Sequence, residues 1–273
     1  MLESPQISLS AAVLARIAQH GGMVIACGPD HLPAFAGLPF VGHSRLAGVQ
    51  RMQLDLSLPF RKRCWQSIIR AKIANQAQCL RLLGREGAAH VAAMAEQVTS
   101  GDAANVESSA AHAYFRFLFG QDFDRRSESG INSALNYGYA VIRAAVARAL
   151  AAHGFLLTQG IHHSSELNPF NLADDFLEPL RPVVDLRAAS FPPHPEPPPR
   201  HPEPVEGPNE LDKARRQELV GLLACDVGVE GEAHPVLHAA DLVAASFTAA
   251  CHNAEPALLK LPDLLPLHEH GYE

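Results

Sequence analysis

Two imidazoles and four carboxylates crowd into residues 162–182: His162, His163, Glu166, Asp174, Asp175 and Glu178, set around an otherwise apolar stretch. Such groups are costly to desolvate unless they are paired or hold a metal. A further acid, Glu107, opens a separate apolar stripe, Glu-Ser-Ser-Ala-Ala-His-Ala-Tyr-Phe. Carboxylates are natural ligands of Mg²⁺, and one imidazole shifts preference toward Mn²⁺ without excluding Mg²⁺. An ion of that kind neutralises a phosphate, aligns a nucleophile and stabilises a leaving oxygen, so phosphodiester chemistry is the natural expectation. Glu107, His163 and Glu178 would make such a site if folding brought their three segments together.

Other chemistries fit less well. His163-Ser-Ser-Glu166 matches half of a zinc-protease helix motif, but the second histidine is missing and the segment runs into Asn168-Pro169. Neither a Gly-x-x-x-x-Gly-Lys phosphate loop nor a Gly-x-Ser-x-Gly elbow occurs. Read singly, His162 and His163 are ordinary surface or core histidines.

The elements that must position these groups are mainly helical. Residues 60–83 contain no Gly or Pro and stop at Gly84, with Trp65, Ile69, Ile73 and Leu80 on one face. Lys72, Asn75 and Gln76 border that face, either hydrogen-bonded in the core or aimed at a ligand. A second helix is expected over residues 105–119. There Glu107 shares the stripe of Ala111, Tyr114 and Leu118 and points inward, unless it caps its own first turn. A third, over residues 131–152, turns Ile131, Leu135, Ile142, Val146 and Ala149 inward beside a polar strip of Asn132, Asn136, Tyr139 and Arg143.

Asn168 and Pro169 read as cap and first residue of a fourth helix. Asp175 and Glu178, three apart, are neighbours on its surface, and Pro179 and Pro182 bend or end it. Helical segments follow over residues 211–223 and 236–250, and a tail with His268 and His270 is expected to be flexible. Near the start, residues 9–20 read as a helix and residues 23–27 as a short buried strand. Residues 191–208 hold nine of the 21 prolines and read as an extended insertion or linker.

The 273 residues, 47% hydrophobic, suit one large domain or two smaller ones. No apolar run approaches the length of a membrane span, and five scattered cysteines without a Cys-x-x-Cys pair fit a reducing, cytoplasmic setting. The net charge of −7 hides a strongly basic window. Between Arg45 and Arg85 lie nine Lys or Arg against Asp55 alone. That window is either a solvated helix face or a local field for phosphates. Arg61, Arg63, Arg70, Lys72, Arg143 and Arg181 are candidates for DNA phosphate contacts.

Four stretches then occur in order: Glu107-Ser-Ser-Ala-Ala-His-Ala-Tyr-Phe, Asn132-Ser-Ala-Leu-Asn-Tyr-Gly-Tyr, Gly160-Ile-His-His, and Asn168-Pro-Phe-Asn-Leu-Ala-Asp-Asp-Phe-Leu-Glu-Pro-Leu-Arg-Pro. Together they resemble the CRISPR-associated integrase family, the DNA endonuclease subunit that captures new spacers, and most closely its type II branch. The resemblance covers the chain up to about residue 185, and more loosely the region after residue 210. It implies that Glu107, His163 and Glu178 are the catalytic residues and ligate one Mg²⁺ or Mn²⁺. The family's spacing between His and acid selects His163 over His162, and Asp175 falls on another commonly acidic position; Asp175 and His162 are possible assisting residues.

The resemblance further implies an α+β fold. A small N-terminal β-domain with its linker covers residues 1–58, and a larger all-α catalytic domain covers residues 59–273. Family members usually carry several additional strands before the equivalent of Ile7, so the β-domain is expected to be incomplete, which puts dimer formation in question. The implied activity inserts new spacer DNA into a CRISPR array by 3′-hydroxyl transesterification. The implied partners are protospacer and leader–repeat DNA, a second copy of the chain as a homodimer, and a small ferredoxin-like subunit in a heterohexamer. Two other readings stand beside it: a non-catalytic DNA-binding or scaffold homologue, and a repair nuclease acting on branched DNA.

Overall fold

The computed structural model describes residues 2, 4, 6–28, 33–37, 45–127, 129–192 and 211–271. Most of the proline-rich stretch, residues 193–210, lies outside the described residues. Helix α1 (Ala11–Gln19) is capped by the Ser10 hydroxyl, which accepts from the Val13 N–H. Strands β1 (Val24–Cys27) and β2 (Pro33–Gly37) form an antiparallel pair, and Leu2 adds an isolated parallel bridge to Ala26. The apolar face of α1 stays open, with Val13 and Leu14 exposed.

The helical body begins with α2 (Leu46–Leu54) and α3 (Leu58–Leu82). Ser57 caps α3 and Pro59 occupies its first turn, where a missing N–H costs nothing. Helices α4 (Ala88–Ala95), α5 (Val106–Phe119) and α6 (Gly130–Ala152) follow, with Ser129 capping α6. Next come α7 (Asn171–Leu177), a single 3₁₀ turn (Glu178–Leu180) and α8 (Arg181–Ala189). After the proline tract run α9 (Lys213–Gly221), strands β3 (Cys225–Val229) and β4 (Glu232–Pro235), α10 (Val236–Asn253) and β5 (Asp263–Glu269).

Two long helices organise the core. Helix α3 packs on α4, α5 and α8, and α6 packs on α7, α8, α9 and α10. Ile68, Ile69, Ile73 and Leu80 of α3, Leu135, Ile142 and Leu150 of α6, Phe176 of α7 and Phe247 of α10 are fully buried there. Gly138 lets α6 and α8 approach closely, because a Cβ at that position would meet Val184 Cγ1 at 2.3 Å.

Several expectations are corrected. The C-terminal region is not all-α: β4, β3 and β5 form an antiparallel sheet in that order. Its hairpin turns on Glu230 and Gly231, both at positive φ, the backbone of a two-residue turn. The tail is ordered, since β5 contains His268, and His270 lies 2.6 Å from Asp226 Oδ1. The fourth helix starts at Asn171 rather than at Asn168-Pro169. The Asn168 carboxamide accepts from the Phe170 N–H in a local turn, which leaves Pro169 ahead of the helix. Ile131 is exposed rather than inward, because it lies in the first turn of α6, beyond the packed face. Asp175 and Glu178 are buried, not surface neighbours. Helices α2 and α4 and strand β2 were not anticipated. No helix among the described residues is long and apolar enough to cross a membrane.

Candidate active site

Glu107 stands in the first turn of α5, and the preceding loop is built to hold that turn. Asp102 and Asn105 both adopt left-handed backbone conformations, at φ 48° and 52°. In return, the Asp102 carboxylate accepts the N–H groups of Val106 and Glu107 at 3.0 Å each, satisfying two donors that a helix start leaves unpaired. The Glu107 side chain then reaches Lys72 at the middle of α3, with Nζ 2.5 Å from Oε1. It therefore points inward toward α3 and does not cap its own helix.

Glu178 arrives at the same lysine from the other side. Pro179 interrupts the helix there, and the buried Asn75 of α3 donates to the Pro179 carbonyl at 2.8 Å. Asn75 also bonds the Pro262 carbonyl and the Leu264 N–H, tying β5 to α3. Glu178 Oε2 lies 2.5 Å from Lys72 Nζ, and Oε1 accepts from Arg181 Nε at 2.9 Å. Burial alone would push the Glu178 carboxyl up, but Arg181 and Lys72 outweigh it and bring the pKa down to about 2. Burial likewise opposes the charge on Lys72, and Glu178 with Glu107 holds its pKa above the ordinary lysine value. Despite the short contact, Glu178 Oε2 makes no well-angled hydrogen bond.

His163 lies on the loop between α6 and α7. The fully buried Asp175 bonds the Ile161, His162 and His163 N–H groups and the His163 Nδ1, the last at 2.8 Å. Asn171 braces the same loop through the Thr158 and Ser165 carbonyls. The Asp175 hydrogen bond raises the His163 pKa against partial burial, and the charge of Glu178 adds to the effect. With Nδ1 engaged by Asp175, Nε2 is the nitrogen turned outward. His162 is exposed and stacks flat on the buried Trp65 ring at 4.1 Å, with His163 edge-on to the same ring.

The structure thus joins Glu107 and Glu178 through Lys72, and the acid-held His163 lies within the electrostatic reach of Glu178. Among the described residues, no three His, Cys, Asp or Glu side chains stand close enough together to hold a metal ion as they are arranged. The cationic candidates separate. Arg63 and Arg70 are exposed on α3. Lys72 is corrected as a DNA contact, since its side chain is buried between two carboxylates. Arg61 donates to the Ile161 carbonyl, Arg143 pairs with Asp174 and covers the Phe170 ring, and Arg181 binds Glu178. Asp102 escaped the sequence reading; its one signal was an acid just before the helix start of Glu107.

The mostly helical body thus brings two acids from separate segments onto one buried lysine, and separately holds His163 against a buried acid. Its fold is shared with a casposase solved bound to integration product, at a TM-score of 0.69 and 17% identity over 90% of this chain and 76% of that one. It is also shared with a Cas6-RT-Cas1–Cas2 complex, at a TM-score of 0.70 and 18% identity over 97% of this chain and 32% of that one.

The family model for CRISPR associated protein Cas1 matches residues 3–222. The chain is 39% identical over 274 residues to the CRISPR-associated endonuclease Cas1 of Neisseria meningitidis serogroup C (strain 8013), covering 100% of this chain and 87% of that relative. The chain belongs to the Cas1 family.

Proposed function

We propose that this protein is a divalent-metal-dependent DNA endonuclease and integrase that joins new spacer DNA to a CRISPR array. The observation that carries the reading is the convergence of Glu107 and Glu178 on one cation, in a fold that also holds the Nδ1 of His163 on a buried acid. Family membership and the endonuclease name of the Neisseria relative support it.

Glu107, Glu178 and the outward Nε2 of His163 are the donors that would hold the ion, and hard oxygens with one imidazole suit Mg²⁺ or Mn²⁺. The buried Glu178 Oε2, lacking a well-angled hydrogen bond, is an atom that such an ion would satisfy. Bound there, the metal supplies Lewis-acid polarisation and charge neutralisation at the target phosphate. Asp175 fixes the tautomer and direction of His163, and Arg181 keeps Glu178 ionised and in place. Arg63 and Arg70 meet the phosphates of the incoming duplex.

The 3′-hydroxyl of a captured fragment attacks the phosphate in line. A new P–O bond forms as the target strand's own P–O3′ bond breaks; the attacking hydroxyl loses its proton to solvent, and the departing 3′ oxygen takes one up. With water as nucleophile, the same site hydrolyses DNA. A second copy of the chain and a small ferredoxin-like subunit complete the assembly, in line with relatives solved within Cas1–Cas2 complexes.

The test is strand joining by the purified protein with that partner subunit, labelled protospacer, leader–repeat duplex and Mn²⁺ or Mg²⁺. Glu107→Ala, His163→Ala and Glu178→Ala each abolish joining while circular dichroism stays native. Normal joining by His163→Ala overturns the site.

A further inference from the structure

Lys72 occupies the point on which the two acids converge. Its ammonium lies 2.5 Å from an oxygen of each, and its side chain is only 7% exposed. Two carboxylates held this close repel each other, and burial of Glu178 removes the water that would screen them. Without that ammonium Arg181 would be left to balance Glu178 alone, with the Glu107 carboxylate still facing it, and the pair would destabilise the fold.

We propose that the Lys72 ammonium is an internal cation that holds the Glu107–Glu178 pair in the metal-free protein and is displaced when a divalent ion loads. The inference rests on reading that pair as metal ligands. An ammonium and a divalent ion on the same oxygens repel each other, so loading the ion favours withdrawal of the lysine. The pair is also arranged for exchange. Arg181 keeps Oε1 of Glu178, so Oε2 is the oxygen that changes partner. A landing place exists on the same helix. Gln76, one turn beyond Lys72, has a buried Oε1 without a hydrogen-bond partner. A flexible lysine stem lets a compact, three-donor ammonium make that move.

The experiment is Mn²⁺ titration of the full chain by calorimetry, with thermal melting alongside. Lys72→Met removes the charge at similar length, and Lys72→Arg keeps a cation on a fork that grips carboxylates. Lys72→Met binds Mn²⁺ more tightly than wild type by at least about fivefold. It also melts lower without metal and gains more on adding Mn²⁺. Lys72→Arg binds Mn²⁺ more weakly than wild type, so the comparison survives even if Lys72→Met does not fold without metal. Equal or weaker binding by Lys72→Met, or equal or tighter binding by Lys72→Arg, overturns the exchange. Binding that Glu178→Gln abolishes but neither Lys72 variant alters overturns the exchange alone. No Mn²⁺ binding by wild type or Lys72→Met overturns the ligand assignment together with the exchange.

Discussion

His163 Nδ1 lies 2.8 Å from Asp175 Oδ1, and the same carboxylate takes three consecutive backbone N–H groups, from Ile161 to His163. One buried acid therefore sets both the loop and the ring it carries. Each of its oxygens faces two N–H or ring-nitrogen groups, so an amide at this position, whichever way it turns, points its NH₂ at a backbone donor. Asp175→Asn is expected to lose roughly 2–4 kcal/mol, the scale for leaving buried donors without an ionised acceptor. The pH dependence has a definite sign. Because the folded pKa of His163 is raised, its pairing stabilises fully below the unfolded value of about 6.5 and fades as pH rises through the higher folded value. The stability gap between wild type and Asp175→Asn, measured by urea unfolding, thus narrows on going alkaline. A gap that widens instead would show that the ring is not held as a cation.

How much of this was legible beforehand depends on where each partner lies. The stripes of Trp65, Ile69, Ile73 and Leu80 and of Leu135, Ile142 and Val146 disclosed α3 and α6, since helical periodicity is local. Strands β3, β4 and β5 left weaker traces: they are four to seven residues long, and β5 carries Pro266. The Glu230-Gly231 turn was the readable hint. At the site, types and spacing raised Glu107, His163 and Glu178 as an expectation, and carried no sign that Lys72 stands between two of them. A lysine beside an apolar face reads the same whether it faces water or two distant acids. Only the crossing of α3 over α5 and the Pro179 break decides the matter.

Gly160 is required by crowding around Asp175. A Cβ there would lie 2.3 Å from the His163 carbonyl oxygen and 2.7 Å from Asp175 Oδ2, and neither can retreat without breaking the hydrogen bonds of the loop. Gly160→Ala is expected to cost about 1–3 kcal/mol by overpacking. It is also expected to lower strand joining more than that loss of folded protein explains, because the displaced group orients His163. Differential scanning calorimetry and single-turnover joining at a temperature well below the melt separate the two effects. A variant that melts and joins as wild type does would remove the crowding argument.

Behind the site, Asp185 is fully buried and accepts the hydroxyls of Tyr114, at 3.0 Å, and of Tyr139. The Arg181 guanidinium lies over the Tyr139 ring, 4.6 Å from its centroid, and binds Glu178 on its other side. Burial raises the Asp185 carboxyl, against the pull of both tyrosines and Arg181, to about 6. A carboxyl raised in the folded state favours folding when protonated, so its contribution is complete below the unfolded value of about 3.9 and is lost as pH climbs through the folded one. Against Asp185→Asn, wild type should therefore gain on the order of 3 kcal/mol as pH falls from about 7 to about 4, at about 1.4 kcal/mol per pKa unit. Urea unfolding of both proteins across that range measures the gain. A difference that stays flat would mean the carboxyl titrates at its ordinary value, and that the two tyrosine hydroxyls and Arg181 offset its burial in full. In that case Asp185 would be ionised at neutral pH and would share the Arg181 guanidinium with Glu178 as a second negative neighbour.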